Sequence, residues 1–177
     1  MDWQPRLARE DDILRLEALI PISVKRLQAH HYSGAQMEAA LGLVFGVDSQ
    51  LIRDGTYFVV EREGQIIGCG GWSNRKTLFG GDAMKTGMDI ELDPKRDPAR
   101  IRAVFVHPAW ARCGIGCAIL ERCKKAIQLA GFRSVELVAT LTGEPFYRAC
   151  NYSQGERFEV PLANGLTLPV VQMVKQF

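Results

Sequence analysis

The segment VFVHPAWARCGIGCAILERC, residues 104–123, constrains the fold of this chain more than any other stretch. An apolar run leads through a turn carrying Gly114 and Gly116 into apolar positions at helical spacing. Ile115, Ile119, Leu120, Cys123, Ala126, Ile127 and Ala130 share one face, while Glu121, Arg122, Lys124, Lys125 and Gln128 take the other. The pattern is a buried strand feeding an amphipathic helix, which places the helix against a sheet. Residues Arg112, Cys113, Gly114, Ile115, Gly116 and Cys117 would present successive N–H groups at the helix start, where the macrodipole favours an anion. Glycine at 114 and 116 lets a diphosphate approach the backbone without meeting a Cβ atom.

Three kinds of phosphate site compete for this turn. A P-loop requires GxxxxGK[ST]. Its nearest match, FGGDAMKT, places Phe79 and Met84 at the two required glycines and fails. A dinucleotide turn requires a third small residue where Ile119 stands, although Glu136 lies at the spacing of a ribose ligand. The third is a pyrophosphate-binding turn of another kind, and an ordinary tight strand–helix turn is the plain alternative to all three.

The remaining chain reads as alternating helices and hairpins. Asp11 or Asp12 caps a first helix bearing Ile13, Leu16, Leu19 and Ile20, which Pro21 breaks or restarts. Ser33 and Gln36 stand in capping-box spacing before a second helix extending to about Phe45. A hairpin follows, with a strand from Thr56 to Arg62, a turn at Glu63-Gly64 and a return through Gly71. The polar stretch from Ser73 to Pro98 is long for a compact domain and is either functional or a mobile surface insertion. After the strand IRAVFV and its helix, closed by Gly131, come a strand SVELVA, a short helix EPFYRACNY and a hairpin turning at Asn164-Gly165. The expected architecture is a mixed α/β sheet with helices on its faces, in a single domain over residues 1–177.

Composition narrows the class. The formal charge of +2 among 177 residues gives no reason to expect nucleic acid or an anionic membrane as partner. No apolar run is long enough to span a bilayer, and MDWQPRLARE lacks an apolar signal core, so the chain is expected in the cytoplasm. The five cysteines include no CxxC pair and no ligand set completes around Cys113 and Cys117, so reduced thiols and no metal are expected.

HPAWARCGIGCAILE resembles the pyrophosphate-binding motif of the GNAT superfamily of acyl-CoA N-acyltransferases, written Q/R-x-x-G-x-G/A. Gly114 and Gly116 match its small positions, whereas the initial Q/R falls on Ala111, with Arg112 one place later. ATLTGEPFYRACNY resembles a second pattern of that family, N-x-x-x-F/L-Y-x-x-x-G-F/Y. Phe146, Tyr147 and Tyr152 match it, Asn151 replaces glycine at a left-handed position, and Thr142 falls near the family's asparagine.

The resemblance implies a mostly antiparallel mixed sheet with a V-shaped splay between its two central strands. It implies acetyl-CoA as co-substrate, with the turn Arg112–Cys117 on its pyrophosphate. The backbone of Val104, Phe105 and Val106, with the Thr142 hydroxyl, would hold its pantetheine arm. Tyr147 would be the acid that protonates the departing thiolate, and Glu136 matches one family position for a base. His30, His31 and Tyr32 are candidates for the acceptor pocket, whereas His107 reads as a turn residue. The implied activity is direct attack of a primary amine on the acetyl carbonyl. A CoA-binding sensor that has lost catalysis on the same fold is the alternative. Small-molecule and protein amines both stay open as acceptors. Homodimers are common in such folds, and no feature of this sequence selects one.

Overall fold

The computed structural model describes residues 2–177. Its strands are Arg6–Leu7 (β1), Tyr57–Arg62 (β2), Gln65–Ser73 (β3), Ala99–Val106 (β4), Ser134–Thr140 (β5), Ser153–Pro161 (β6) and Thr167–Gln176 (β7). They form one seven-stranded sheet in the order β1-β2-β3-β4-β5-β7-β6. Every neighbouring pair is antiparallel except β4 and β5. Helices Ile13–Leu27 (α1), Gly34–Ala40 (α2) and Ser49–Arg53 (α3) cover one face, and Ile115–Leu129 (α4) with Glu144–Ala149 (α5) cover the other.

The parallel pair is the feature that makes a site. β4 and β5 meet through Ala99↔Val135 and Arg100↔Glu136 and then part, so the rest of each strand lacks a sheet partner on that side. A bulge in β4 explains the divergence. The register with β3 slips between Cys69 and Gly71, opposite Phe105 and Arg102, so Ala103 and Val104 together oppose Gly70. Ala103 takes a left-handed φ of 52°. An extra residue bends and twists the strand that carries it. The buried Tyr57 hydroxyl donates to the Ala103 carbonyl at 2.8 Å and holds the bulge from the far side.

Local chemistry accounts for most boundaries. The hairpin turn at Glu63-Gly64 has φ of 50° and 77°, as a two-residue turn requires. Ser33 and Gln36 form the expected reciprocal capping box, but α2 stops at Ala40 rather than near Phe45. Leu41 is already extended, and Gly42 turns the chain with φ of 81°. Pro21 does not break α1, which runs through it. Losing one helix bond costs about 3 kcal/mol. Leu16, Leu19, Ile20 and Val24 are buried on both sides of the proline, each contributing roughly 1.5–3 kcal/mol, and packing wins. Helix α3, capped by the Asp48 carboxylate on the Gln50 N–H at 3.1 Å, and the two-residue β1 are absent from the sequence reading.

The Ser73–Pro98 stretch is not a loose insertion. Arg102, inserted from β4, donates to the Thr77 and Gly80 carbonyls at 2.9 and 2.7 Å. Arg75 grips Asp54 at 2.7 Å, and Asp82 accepts from the Ser49 N–H at 3.1 Å. These bonds press residues 78–80 against the mouth of the splay. No helix among the described residues is long and apolar enough to cross a membrane.

Candidate active site

Where β4 and β5 separate, a cleft of about 790 Å³ passes between them from one face of the sheet to the other. One arm opens toward the turn at residues 110–117 and helix α5, and the other runs beneath the C-terminal end of α1.

The first arm is built mainly from backbone. His107 caps the short turn Pro108–Trp110 by accepting the Ala109 N–H at 3.2 Å, as expected of a turn residue. Arg112 and Gly114 then adopt left-handed φ of 64° and 85°. That geometry lets the chain enter α4 beside the cleft, and the first N–H groups of a helix have no partner within it. The two glycines serve different ends. Gly114 supplies the left-handed backbone, and a Cβ there would meet nothing closer than Trp3 at 3.9 Å. Gly116 supplies room, because a Cβ there would sit 2.9 Å from Cζ of Phe146. The second glycine therefore lets α5 dock on the start of α4. Asn151, which ends α5, has φ of 62°, the left-handed position its residue type tolerates.

Of the expected cofactor residues, Val104, Phe105, Val106, Arg112, Gly114, Ile115, Gly116, Cys117 and Thr142 line the cleft. Cys113 does not. Its carbonyl accepts from the Trp3 indole at 2.7 Å, and its thiol is exposed. Trp3 packs edge-on against Trp110 at 5.8 Å, bracing the turn from the N-terminus. The Thr142 Oγ1 is buried without any hydrogen-bond partner. Such a group costs free energy unless something satisfies it.

Tyr147 also lines the cleft, 9% exposed, between the rings of Phe146 and Tyr152 at 5.1 and 5.6 Å. Burial pushes its phenol well above the usual tyrosine value, so the group stays protonated through the neutral and mildly alkaline range.

Glu136 is placed elsewhere, which corrects the expectation of a catalytic base. It sits at the closed end of the splay, where one carboxylate oxygen pairs with Arg100 and the other accepts from Gln172 at 2.5 Å. It is absent from the cleft wall. A carboxylate committed to two donors at a strand junction closes the sheet rather than taking a proton from substrate. His30 and His31 are exposed in the turn after α1, outside the cleft. Tyr32 is buried, but its hydroxyl straps β5 to β7 by accepting the Leu141 N–H at 2.9 Å and donating to the Pro169 carbonyl at 2.6 Å.

The second arm was not foreseen. Leu27, Val44, Phe45, Phe79, Val160 and Val170 form its walls, with Gln28 among them. They come from α1, the segment after α2, the pinned loop, β6 and β7. No short motif joins residues so far apart in sequence. The available signal was the length of the Ser73–Pro98 loop.

The comparisons with known proteins agree with this geometry. A model described as an acetyltransferase (GNAT) domain matches residues 53–154. A sequence comparison with curated proteins finds no match. Among solved structures, a GCN5-related N-acetyltransferase from Rhodopseudomonas palustris superposes with a TM-score of 0.70 at 20% identity, over 99% of this chain and 95% of that one. The PaiA N-acetyltransferase from Thermoplasma acidophilum, in complex with coenzyme A, gives 0.65 at 13% identity over 100% of both chains. A GNAT superfamily phosphinothricin acetyltransferase from Sinorhizobium meliloti, in complex with acetyl-CoA, gives 0.64 at 19% identity over 100% and 89%. A cleft opened by two parting parallel strands, a glycine turn at its mouth and a family match across both lead to one conclusion: the chain belongs to the GNAT acetyltransferase family.

Proposed function

We propose that this chain is an acetyl-CoA-dependent N-acetyltransferase acting on a primary amine. The observation that carries the reading is the cleft between β4 and β5, whose walls include a phosphate-type turn, Tyr147 and a separate set of apolar side chains. The likeness to structures holding coenzyme A and acetyl-CoA supports the choice of co-substrate. The residues present fit that group: a helix start with a left-handed entry, unpaired strand backbone, and a buried hydroxyl without a partner.

Acetyl-CoA, when bound, supplies an activated acetyl carbonyl. The N–H groups of Gly114, Ile115, Gly116 and Cys117, aided by the α4 dipole and Arg112, would hold its phosphates. The open edge of β4 at Val104–Val106, with Thr142 Oγ1, would bond the amides of the arm. Tyr147 holds a proton in an apolar setting and donates it toward the departing sulfur.

The lining residues include no aspartate, glutamate or histidine among the described residues. The acceptor therefore loses its proton to water, and kcat/KM rises with pH toward the acceptor amine's own pKa rather than that of a protein group. The same feature favours a second reading, a CoA-binding sensor without turnover. Calorimetric titration with acetyl-CoA, CoA and NADH, paired with a CoA-release assay, tests both. The enzyme reading requires acetyl-CoA binding that is lost in Gly114→Asp, no NADH binding, and thiol release with some amine. Binding without release from any amine selects the sensor. NADH binding, or none at all, overturns both.

A further inference from the structure

The acetyltransferase reading leaves the acceptor open, and the second arm of the cleft bears on it. Two features of that arm are informative: a polar group without a partner, and charged groups whose partners are all internal.

Gln28 lies at the C-terminal end of α1 and lines the cleft, 8% exposed. Its Oε1 is buried and accepts from no protein group. A buried acceptor left empty costs free energy, so its retention beside a cleft points to a donor that arrives from outside.

The charged groups behave in the opposite way. Arg102 contributes to the wall and is 2% exposed. Its guanidinium is spent on Asp48 Oδ2 at 2.8 Å and on the Thr77 and Gly80 carbonyls. Asp48, 1% exposed, is shared between Arg102 and Lys85. The cation is thus neutralised and the anion enclosed. Neither offers a counter-charge to a ligand carboxylate, phosphate or second ammonium. The rest of the arm is aliphatic or aromatic apart from Ser23, Thr140 and the backbone, none of them charged. A charged substituent placed there would be desolvated without compensation.

We infer that the acceptor is a primary amine on an uncharged, largely apolar body, and that Gln28 orients it by accepting a hydrogen bond from a neutral donor such as a hydroxyl or amide N–H. This inference rests on the acetyltransferase reading and narrows it. Amino acids and polyamines are excluded as preferred acceptors, whereas aryl-alkyl amines fit.

The test compares five probe amines in the CoA-release assay: tyramine, 2-phenylethylamine, tyrosine, tyrosinamide and spermidine, a polycation with three amine groups. Tyrosinamide matches tyrosine in bulk but lacks its carboxylate. Tyramine should exceed tyrosine in kcat/KM by on the order of 100-fold, with tyrosinamide on tyramine's side of that gap. Tyramine should exceed 2-phenylethylamine by roughly five- to tenfold, and Gln28→Leu should erase that margin while leaving acetyl-CoA affinity unchanged. Gln28→Glu should raise spermidine turnover relative to tyramine. Retained acetyl-CoA binding shows that each variant is folded. Tyrosine or spermidine matching tyramine in the wild type overturns the charge exclusion. A margin that survives in Gln28→Leu overturns the role of Gln28. Acetyl-CoA binding with no turnover of any amine defeats the enzyme reading itself, an outcome distinct from turnover of the wrong class.

Discussion

The two arms of the cleft are built by different means. The arm at residues 110–117 is made mainly of main chain from one continuous strand–turn–helix, with Gly114 and Gly116 as its key positions, and is completed by Thr142 and α5. The arm beneath α1 is made of side chains from five separate segments, held by the buried Asp48–Arg102 pair and the half-buried Lys85. Main chain is indifferent to most substitutions and suits a ligand that stays the same. Side-chain walls change one residue at a time and suit a ligand that differs between relatives. The family match and the structural likenesses therefore speak to the first arm and leave the second to be read from this chain alone.

The largest expected effect comes from breaking the second arm at its support. Asp48→Asn leaves the Arg102 guanidinium buried beside an uncharged amide. Removing one member of a buried pair costs about 3–5 kcal/mol. For a chain of this size that lowers Tm by on the order of 10 °C. The loop that Arg102 holds should loosen first, so hydrogen exchange should accelerate at residues 75–82 before the α4 turn changes. Equal acceleration in both arms would show that they do not fold as separable units.

Tyr147 lines the cleft, and Tyr147→Phe should lower kcat about 100-fold with acetyl-CoA affinity nearly unchanged. A fall of less than threefold would remove the phenol from the chemistry. The same burial has a consequence for stability. The folded-state values of Tyr147 and Tyr57 lie above the unfolded value of about 10, so the folded state keeps these protons longer. Stability from these groups is complete below about pH 10 and falls as pH rises beyond it, which alkaline denaturant titrations would register. A midpoint that stays flat to pH 11 would contradict this.

The comparison also explains what the sequence disclosed. The α4 helix, both hairpin turns, the Ser33–Gln36 cap and the left-handed Asn151 were legible because each depends on neighbours within a few residues. Membership of Thr142, Tyr147 and the glycine turn in one cleft followed from motif order. The β4 bulge was not legible, since it depends on the Tyr57 hydroxyl reaching Ala103 across 46 positions of sequence. Glu136 misled because a carboxylate on a strand reads alike whether it faces a substrate or, as here, Arg100 and Gln172. Gln28 carried no local signal. Its meaning lies in a partner that is missing, which only a structure can show.

Gly116→Ala tests whether the first arm is main chain alone. The added methyl would overlap Phe146, an overpacking that typically costs about 1–3 kcal/mol. Because Phe146 adjoins Tyr147, the variant should lose kcat more than acetyl-CoA affinity, and a second change, Phe146→Leu, should restore part of the loss. If affinity falls instead and Phe146→Leu restores nothing, the glycine is there for the ligand and not for α5.

The smallest effect is the most discriminating, because it predicts opposite signs for stability and binding. Thr142→Val keeps the shape of the side chain and removes the buried hydroxyl that has no partner. Without ligand, this relieves a desolvation cost, so Tm should stay level or rise, by up to about 1 kcal/mol of stability. With ligand, the hydrogen bond the hydroxyl would make is gone, and acetyl-CoA should bind about five- to tenfold more weakly. A residue that merely packs would lower Tm and leave affinity unchanged, or move neither. Thermal scans with and without acetyl-CoA measure both in one experiment, and the gap between them should shrink in the variant. A lower Tm with unchanged affinity would return Thr142 to an ordinary structural role and leave the arm to be held by β4 and the glycine turn alone.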